Sequence, residues 1–358
     1  MKSPFVATTL RRLALLASIA LMLASATGCK RQTEQQKQGA ALYGRMCVVC
    51  HGQNGEGYKA DEAPAIGHPA FLSSATDDFI RRAIAQGRTG TTMSAWIKDR
   101  GGPLSRIEID AVIAFMRTWQ KEPTVVLDES KLAGNAQRGE GVYEAECARC
   151  HGPKGVSGPN VHVADRDLLA TASNGFLRQA IRNGRAPTTM PEFQNKLGNP
   201  GIDDVVAHLR ALAAAPREMI AAEPVRQGPL PLGPVPLNPK GPEPIGFQAS
   251  PKTTPADVIK KQLARGARMS ILDARAPSDY MNEHIAGAVS TPFYDPDRYF
   301  PQLPKDSWLV CYCACPHAES GQLAGKLRAA GFTKVTVLDE GLGYWRGKDY
   351  GTSKGEKP

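Results

Sequence analysis

The chain has 358 residues, 44 basic and 35 acidic, for a formal charge of +9. At roughly 100 to 200 residues per domain this length predicts two or three modest domains, and 35 Gly with 28 Pro argue against one large core. After residue 27 no apolar run approaches the ~20 residues of a bilayer span, which excludes a multi-pass membrane protein.

Lys2, Arg11 and Arg12 precede an apolar run from Leu13 to Ala26, then Thr27, Gly28 and Cys29. This reads as a bacterial secretion signal over residues 1–28. Ala26-Thr27-Gly28-Cys29 resembles a lipoprotein box, which implies lipidation at Cys29 and a tether over 29–38. Cleavage after a small residue and an uncleaved anchor are the alternatives, and each exports the protein. The expected address is the periplasmic face of the cell envelope, and Lys30 after Cys29 points by resemblance to the outer membrane. Removing the leader leaves a formal charge of +6, read as a solvated surface, and no nucleic-acid partner is expected.

Next comes a repeat. Gly39, Tyr43, Cys47, Cys50, His51 and Gly52 recur 100 residues later as Gly139, Tyr143, Cys147, Cys150, His151 and Gly152. Gly87-Arg88 and Thr91-Thr92-Met93 are echoed by Gly184-Arg185 and Thr188-Thr189-Met190 at an offset of 97. Spacing of four places Gly, Tyr and Cys on one helical face, and Ile107 to Trp119 and Ile202 to Leu212 read as closing amphipathic helices. The expected units are 39–121 and 135–216, joined by a linker at 122–134.

Cys47-Val48-Val49-Cys50-His51 and Cys147-Ala148-Arg149-Cys150-His151 are both CxxCH, the signature of covalent haem attachment. Two thiols on one helical turn meet two vinyl groups, and the following His ligates the iron. A zinc site of four cysteines is the competing reading, but structural zinc has no need of the His after each pair. Both units resemble small class I cytochromes c. That resemblance implies two covalently attached haem c groups, with axial His51 and His151 and with Met93 and Met190 as the opposite ligands. Met116 is the rival to Met93, and His68, His162 and His208 are rival ligands read as surface or loop residues. Arg88 and Arg185 are candidate propionate contacts. The expected function is electron transfer with redox partner proteins.

Residues 217–252 are Pro-rich and read as a semi-rigid spacer. From Thr253, apolar runs at 269–272, 308–310 and 335–338 alternate with helical segments, predicting an α/β domain with a mainly parallel sheet over 253–350 and a tail at 351–358. Ile271-Leu272-Asp273-Ala274-Arg275, Asp279-Tyr280, His284 to Ala288, Gly341 and Trp345 resemble a rhodanese domain. The resemblance places its sulfur-carrying cysteine at Cys313, after the strand Trp308 to Tyr312. The loop Cys313-Ala314-Cys315-Pro316-His317-Ala318-Glu319-Ser320 lacks the family's usual Arg and mid-loop Gly, and resembles a minority CxCPH form. Cys315 and His317 are candidate auxiliaries, and a sulfane-sulfur compound is the candidate substrate. Two functions stay open: electron carriage with a sulfur-binding module, or a sulfur-oxidising or sulfurtransferase enzyme using a Cys313 persulfide. A soft-metal site on Cys311, Cys313, Cys315 and His317 is a third reading, disfavoured by strand spacing.

Overall fold

The structure is a computed structural model describing residues 32–58, 60, 63–155, 158–214, 230, 233, 235–249, 251–314 and 317–358. The leader, Cys29 and Cys315 lie outside the described residues. Among the described residues no helix is long and apolar enough to cross a membrane.

The described residues open with α1 (Glu34–Met46), capped by a reciprocal box in which Gln36 N donates to Thr33 Oγ1 and Thr33 N donates to Gln36 Oε1. Such a box contributes about 1 kcal/mol and fixes where the helix starts. Gly39, Leu42, Tyr43 and Met46 form its buried stripe. Then come α2 (Val48–His51), α3 (Pro69–Ser74), α4 (Asp77–Gln86) and α5 (Arg106–Met116), the last extended by a 3-10 turn, Arg117–Trp119. The second unit repeats this order as α6 (Ala136–Glu146), α7 (Ala148–His151), α8 (Arg166–Thr171), α9 (Asn174–Asn183) and α10 (Gln194–Ala214).

The first and last helices of each unit cross at the repeated glycine. A Cβ at Gly39 would sit 1.9 Å from the Ala111 carbonyl oxygen, and one at Gly139 would sit 1.9 Å from that of Asp204. Only a glycine permits that approach, which explains the residue that opens each repeat. The two helical units meet through aromatic rings, Phe79 lying 4.8 Å and Phe71 6.3 Å from Phe176.

The third unit is an α/β layer. Its strands are β1 (Thr253–Thr254), β2 (Met269–Asp273), β3 (His284–Ile285), β4 (Ala288–Ser290), β5 (Trp308–Tyr312), β6 (Val335–Leu338) and β7 (Thr352–Ser353). Five form one parallel sheet in the order β1-β6-β5-β2-β4, while β3 and β7 pair antiparallel. Every residue of β2 is buried, as a central strand covered on both faces requires. The helices are α11 (Ala256–Ala264), α12 (Pro277–Asn282), α13 (Ala318–Ala329) and α14 (Gly341–Gly347). Cys313 therefore lies at the carboxyl end of β5, between strand and helix.

The described part of the Pro-rich segment, read from sequence as a semi-rigid spacer, is bonded to the α/β unit. Leu237 N donates to the Met269 carbonyl at 2.7 Å, Ile245 N donates to Gln262 Oε1 at 3.1 Å, and Val235 is buried. Its few apolar side chains are enough to lay it along the α/β unit.

Candidate functional site

Each CxxCH segment is a single helical turn set by its neighbours. Cys47 N and Cys147 N donate to the Tyr43 and Tyr143 carbonyls, both at 2.8 Å, so the first helix runs directly into the motif. The Tyr43 and Tyr143 hydroxyls donate to the Gly52 and Gly152 carbonyls at 2.8 and 3.0 Å. Gly52 and Gly152 both take φ near 81°, turning the chain away after the histidine.

The histidines are held for ligation. His51 Nδ1 lies 3.1 Å from the Pro64 carbonyl oxygen, and His151 Nδ1 lies 2.8 Å from that of Val161. With that proton given to a carbonyl, Nε2 carries the free lone pair. Burial pulls both imidazoles below their ordinary value, against the opposing pull of the same carbonyl contacts. A neutral ring is the form a metal needs.

The Met-bearing loops repeat as closely. Arg88 N donates to the Met93 carbonyl at 2.9 Å, and Arg185 N donates to that of Met190 at 3.0 Å. Met93 N and Met190 N donate to the Thr91 and Thr188 hydroxyls at 3.1 and 3.3 Å. A Cβ at Gly87 or Gly184 would lie 2.5 or 2.6 Å from the Met93 or Met190 carbonyl oxygen. The Gly-Arg and Thr-Thr-Met motifs are thus two sides of one hairpin-like loop that presents the thioether.

Both loops and both CxxCH turns face one cavity of about 1520 Å³, lined by Cys47, Cys50, His51, Met93, Cys147, Cys150, His151 and Met190. That volume exceeds the roughly 300–1,000 Å³ of a single small-ligand pocket. Apolar walls from Ile80, Ile84, Val112, Leu177, Ile181 and Val205 suit a macrocycle. Donor chemistry, neutral imidazoles and apolar walls together fit haem c.

Arg88 and Arg185 also line the cavity. The Arg88 guanidinium lies 3.9 Å from Asp165 of the second unit and 5.8 Å from the Phe79 ring. Arg185 stands between the Phe71 and Phe176 rings, at 5.6 and 5.7 Å, and burial lowers it to about 10. It lines the cavity, where an anionic group would offset its charge.

Among the rival ligands, His68 caps α3 by accepting from Ala70 N, and its Nε2 lies 2.8 Å from the Ala186 carbonyl oxygen. His208, read from sequence as surface or loop, is instead buried on α10 against Tyr143, at a ring distance of 5.3 Å. His162 lines the cavity, as does Met116 from the core of α5.

The third unit brings its own cluster. Cys313 is 1% exposed, and its Sγ lies 3.2 Å from Ser320 Oγ in the first turn of α13. Arg275 is clamped by Asp273, at 3.0 and 2.6 Å, and the Tyr312 hydroxyl donates to Asp273 at 2.5 Å. Cys313 and Asp279 both act electrostatically on Glu319, adding to the rise that burial gives its carboxyl. Burial pushes the Glu319 and Asp279 carboxyls above the usual range, against the attraction of Arg275. His317 caps α13 at φ 67°, with its Nε2 3.0 Å from Asp339 Oδ1, and its side chain is 42% exposed. Glu319 carries no sequence signal beyond its place in the loop.

This cluster abuts the first helical unit. The α13 helix packs on α2, which carries Cys50 and His51. The Ser94 hydroxyl donates to Asp279 at 2.5 Å, and the Ser278 hydroxyl donates to the Ala95 carbonyl at 3.0 Å. Trp96 and Tyr294 meet at 5.6 Å. Arg275, Asp279 and Ala314 line the same cavity as the paired Cys and His residues.

Two helical repeats with paired thiols, His and Met around one cavity define a c-type cytochrome, here joined to a rhodanese-like sheet. A family model described as cytochrome c oxidase, cbb3-type, subunit III matches residues 34–116 and 134–209, and a rhodanese-like domain model matches 255–348. The chain belongs to the cytochrome c family over 34–209 and carries a rhodanese-like domain over 255–348. Membership implies covalently bound haem c. A cbb3-type cytochrome c oxidase subunit CcoP from Azospirillum sp. (strain B510) is 26% identical over 49% of this chain and 61% of its own length. The chain thus spans about three-fifths of that relative. Cytochrome c6 from Rippkaea orientalis is 35% identical over 25% of this chain and 83% of its own length. The solution structure of a rhodanese-like domain from Anabaena sp. is 34% identical over 28% of this chain and 78% of that one, with a TM-score of 0.27.

Proposed function

We propose that this is an exported dihaem electron carrier whose rhodanese-like domain handles sulfur at Cys313. The observation that carries the electron-transfer reading is the duplicated site, in which each His Nδ1 is held by a backbone carbonyl and a Met loop faces the same cavity. Cys47, Cys50, Cys147 and Cys150 would hold two haem c groups by thioether bonds, with His51 and Met93, and His151 and Met190, at the axial positions. Each group supplies a one-electron iron couple when bound. The protein's part is to keep the imidazoles neutral, exclude water with apolar walls and offer Arg88 and Arg185 to the propionates. With His51 and Met93, and His151 and Met190, as the iron ligands, no coordination site would remain for substrate, which favours electron transfer over oxygen chemistry.

The proposed partners are redox proteins, reached from a lipid anchor at Cys29 on the periplasmic side of the envelope, with the outer membrane favoured. We take 39–121 and 135–216 as the cytochrome units and 253–350 as the rhodanese-like unit. A second reading, an enzyme in which a Cys313 persulfide is oxidised or passed on, is favoured by the packing of α13 on α2 beside the first CxxCH turn.

Intact mass spectrometry of the mature chain, with haem staining of a denaturing gel, is expected to show two haem additions. One or none overturns the dihaem reading. The ferric protein should show the near-infrared sulfur-to-iron charge-transfer band, and Met190→Ala should remove about half of it. If that variant keeps the full band while His162→Ala changes the spectrum, the ligand is His162.

A further inference from the structure

The two Met loops match in backbone but differ in what holds the residues after the methionine. At the offset of 97, Ser94, Ala95 and Trp96 correspond to Pro191, Glu192 and Phe193. Both loops are pinned at the aromatic position, where Trp96 N donates to the Ile84 carbonyl at 3.1 Å and Phe193 N donates to that of Ile181 at 3.2 Å. Between that pin and the methionine the units part. Ser94 is 3% exposed, its hydroxyl donates to Asp279 at 2.5 Å, and the Ala95 carbonyl accepts from the Ser278 hydroxyl at 3.0 Å. In the second unit Pro191 and Glu192 are exposed. Pro191 has no hydroxyl to give, and Glu192 accepts from Asn195 Nδ2 at 3.1 Å, within its own unit.

Ser278 and Asp279 are neighbours on α12, so one short helix of the rhodanese-like unit grips two successive residues beside Met93. The grip does not depend on the charge of Asp279. An ionised carboxylate accepts from Ser94, and a neutral carboxyl still accepts through its carbonyl oxygen. A thioether leaves a metal by letting its loop swing away, so its hold follows the free energy of local opening. Loss of a group that orients a metal ligand typically costs about 10- to 100-fold.

We infer that Ser278 and Asp279 are positioning residues for the first axial thioether, a restraint that the exposed Pro191 and Glu192 do not give Met190. The inference rests on the reading of Met93 as an axial ligand. It makes α12 a route by which a change in the rhodanese-like unit alters ligation at one iron and spares the other.

The full-length, haem-loaded ferric chain is followed through its near-infrared sulfur-to-iron band while imidazole displaces the thioether. In Met190→Ala the remaining band reports Met93 alone, and in Met93→Ala it reports Met190 alone. Added to Met190→Ala, S94A or D279A should speed displacement of Met93 at least about tenfold, whereas D279N, which keeps an acceptor, should stay within about threefold of its parent. Added to Met93→Ala, S94A and D279A should leave displacement of Met190 unchanged. In S94A alone, hydrogen exchange should rise in 91–97 and not in 188–194. S94A alters only the cytochrome side, so it reads the contact even where D279A unfolds the rhodanese-like unit. Unchanged displacement of Met93 in S94A, or equal acceleration of Met190, overturns the inference and leaves the ligation reading intact. If Met190→Ala already abolishes the band, Met93 is not the ligand and both fall.

Discussion

Arg88 and Arg185 hold equivalent places in the repeat but face different neighbours. Arg88 has Asp165 at 3.9 Å, whereas among the described residues Arg185 meets the Phe71 and Phe176 rings and feels Tyr58, with no carboxylate paired to it. Removing a cation near a propionate favours the more positive ferric state, more so where no carboxylate already offsets that cation. Arg185→Leu should therefore lower the potential of one haem, changing its ferric-to-ferrous ratio about tenfold at fixed poise. Arg88→Leu should lower it less. Spectroelectrochemistry that resolves the two haems checks the order. Glu319 gives a second test at this scale. Burial raises its carboxyl in the folded chain above an unfolded value of about 4.3, so the folded state binds the proton more tightly. Its contribution is fully present below that unfolded value and is lost as pH rises toward the folded one. Glu319→Gln should then match the native melting temperature near about pH 4 and exceed it increasingly toward neutrality. Calorimetry across that range reads the difference, and a constant gap rules out the linkage.

Elements show what the sequence carried and what it hid. The closing helix read from Ile107 appears as Arg106–Met116 plus a 3-10 turn, because Ser105 and Glu108 form a capping box. The one read from Ile202 follows a kink at Gly198, whose non-helical backbone (φ 59°, ψ 178°) separates it from a short turn beginning at Gln194. The glycines, tyrosines and CxxCH motifs were legible because each has a side-chain or steric signature. A further repeated pair was not. Arg117 donates to the Leu72 and Ala75 carbonyls, both at 2.6 Å, and Arg210 donates to their counterparts at Leu169 and Ala172. Backbone acceptors leave no residue pattern, so nothing marked these arginines. Each ties the closing helix to the end of a short helix, α3 or α8. Arg210→Met keeps the apolar stem but strands two carbonyls, each costing about 1–3 kcal/mol if water does not replace the donor. The variant should unfold its own unit at lower temperature or denaturant, as followed at the second haem, with the first less affected. Equal loss at both haems would mean the units unfold together.

At the scale of the whole molecule, the rhodanese-like unit is docked on the first cytochrome unit through the loop that carries Met93. Ser94 and Ala95 bond to Asp279 and Ser278, and Trp96 meets Tyr294. Position is the consequence that matters. The α13 helix that follows Cys313 lies beside the first CxxCH turn, and the second cytochrome unit joins the first through Phe71, Phe79 and Phe176. Such an order would suit a path from Cys313 to the first CxxCH segment and on to the second. Interfaces between domains of one chain are modest and readily mobile, so a few contacts decide whether this one stays closed. Trp96 is 7% exposed and supplies the largest side chain on the cytochrome side of those contacts. Trp96→Ala combined with Ser94→Ala should release the rhodanese-like unit while both haem attachment segments remain folded. Small-angle scattering should then show a larger radius of gyration, and hydrogen exchange in 277–282 should rise, with little change at the second haem. A native radius and unchanged exchange would mean that α13 against α2 holds the units together without this loop, and variants of Val48 and Val49 would become the ones that open the molecule.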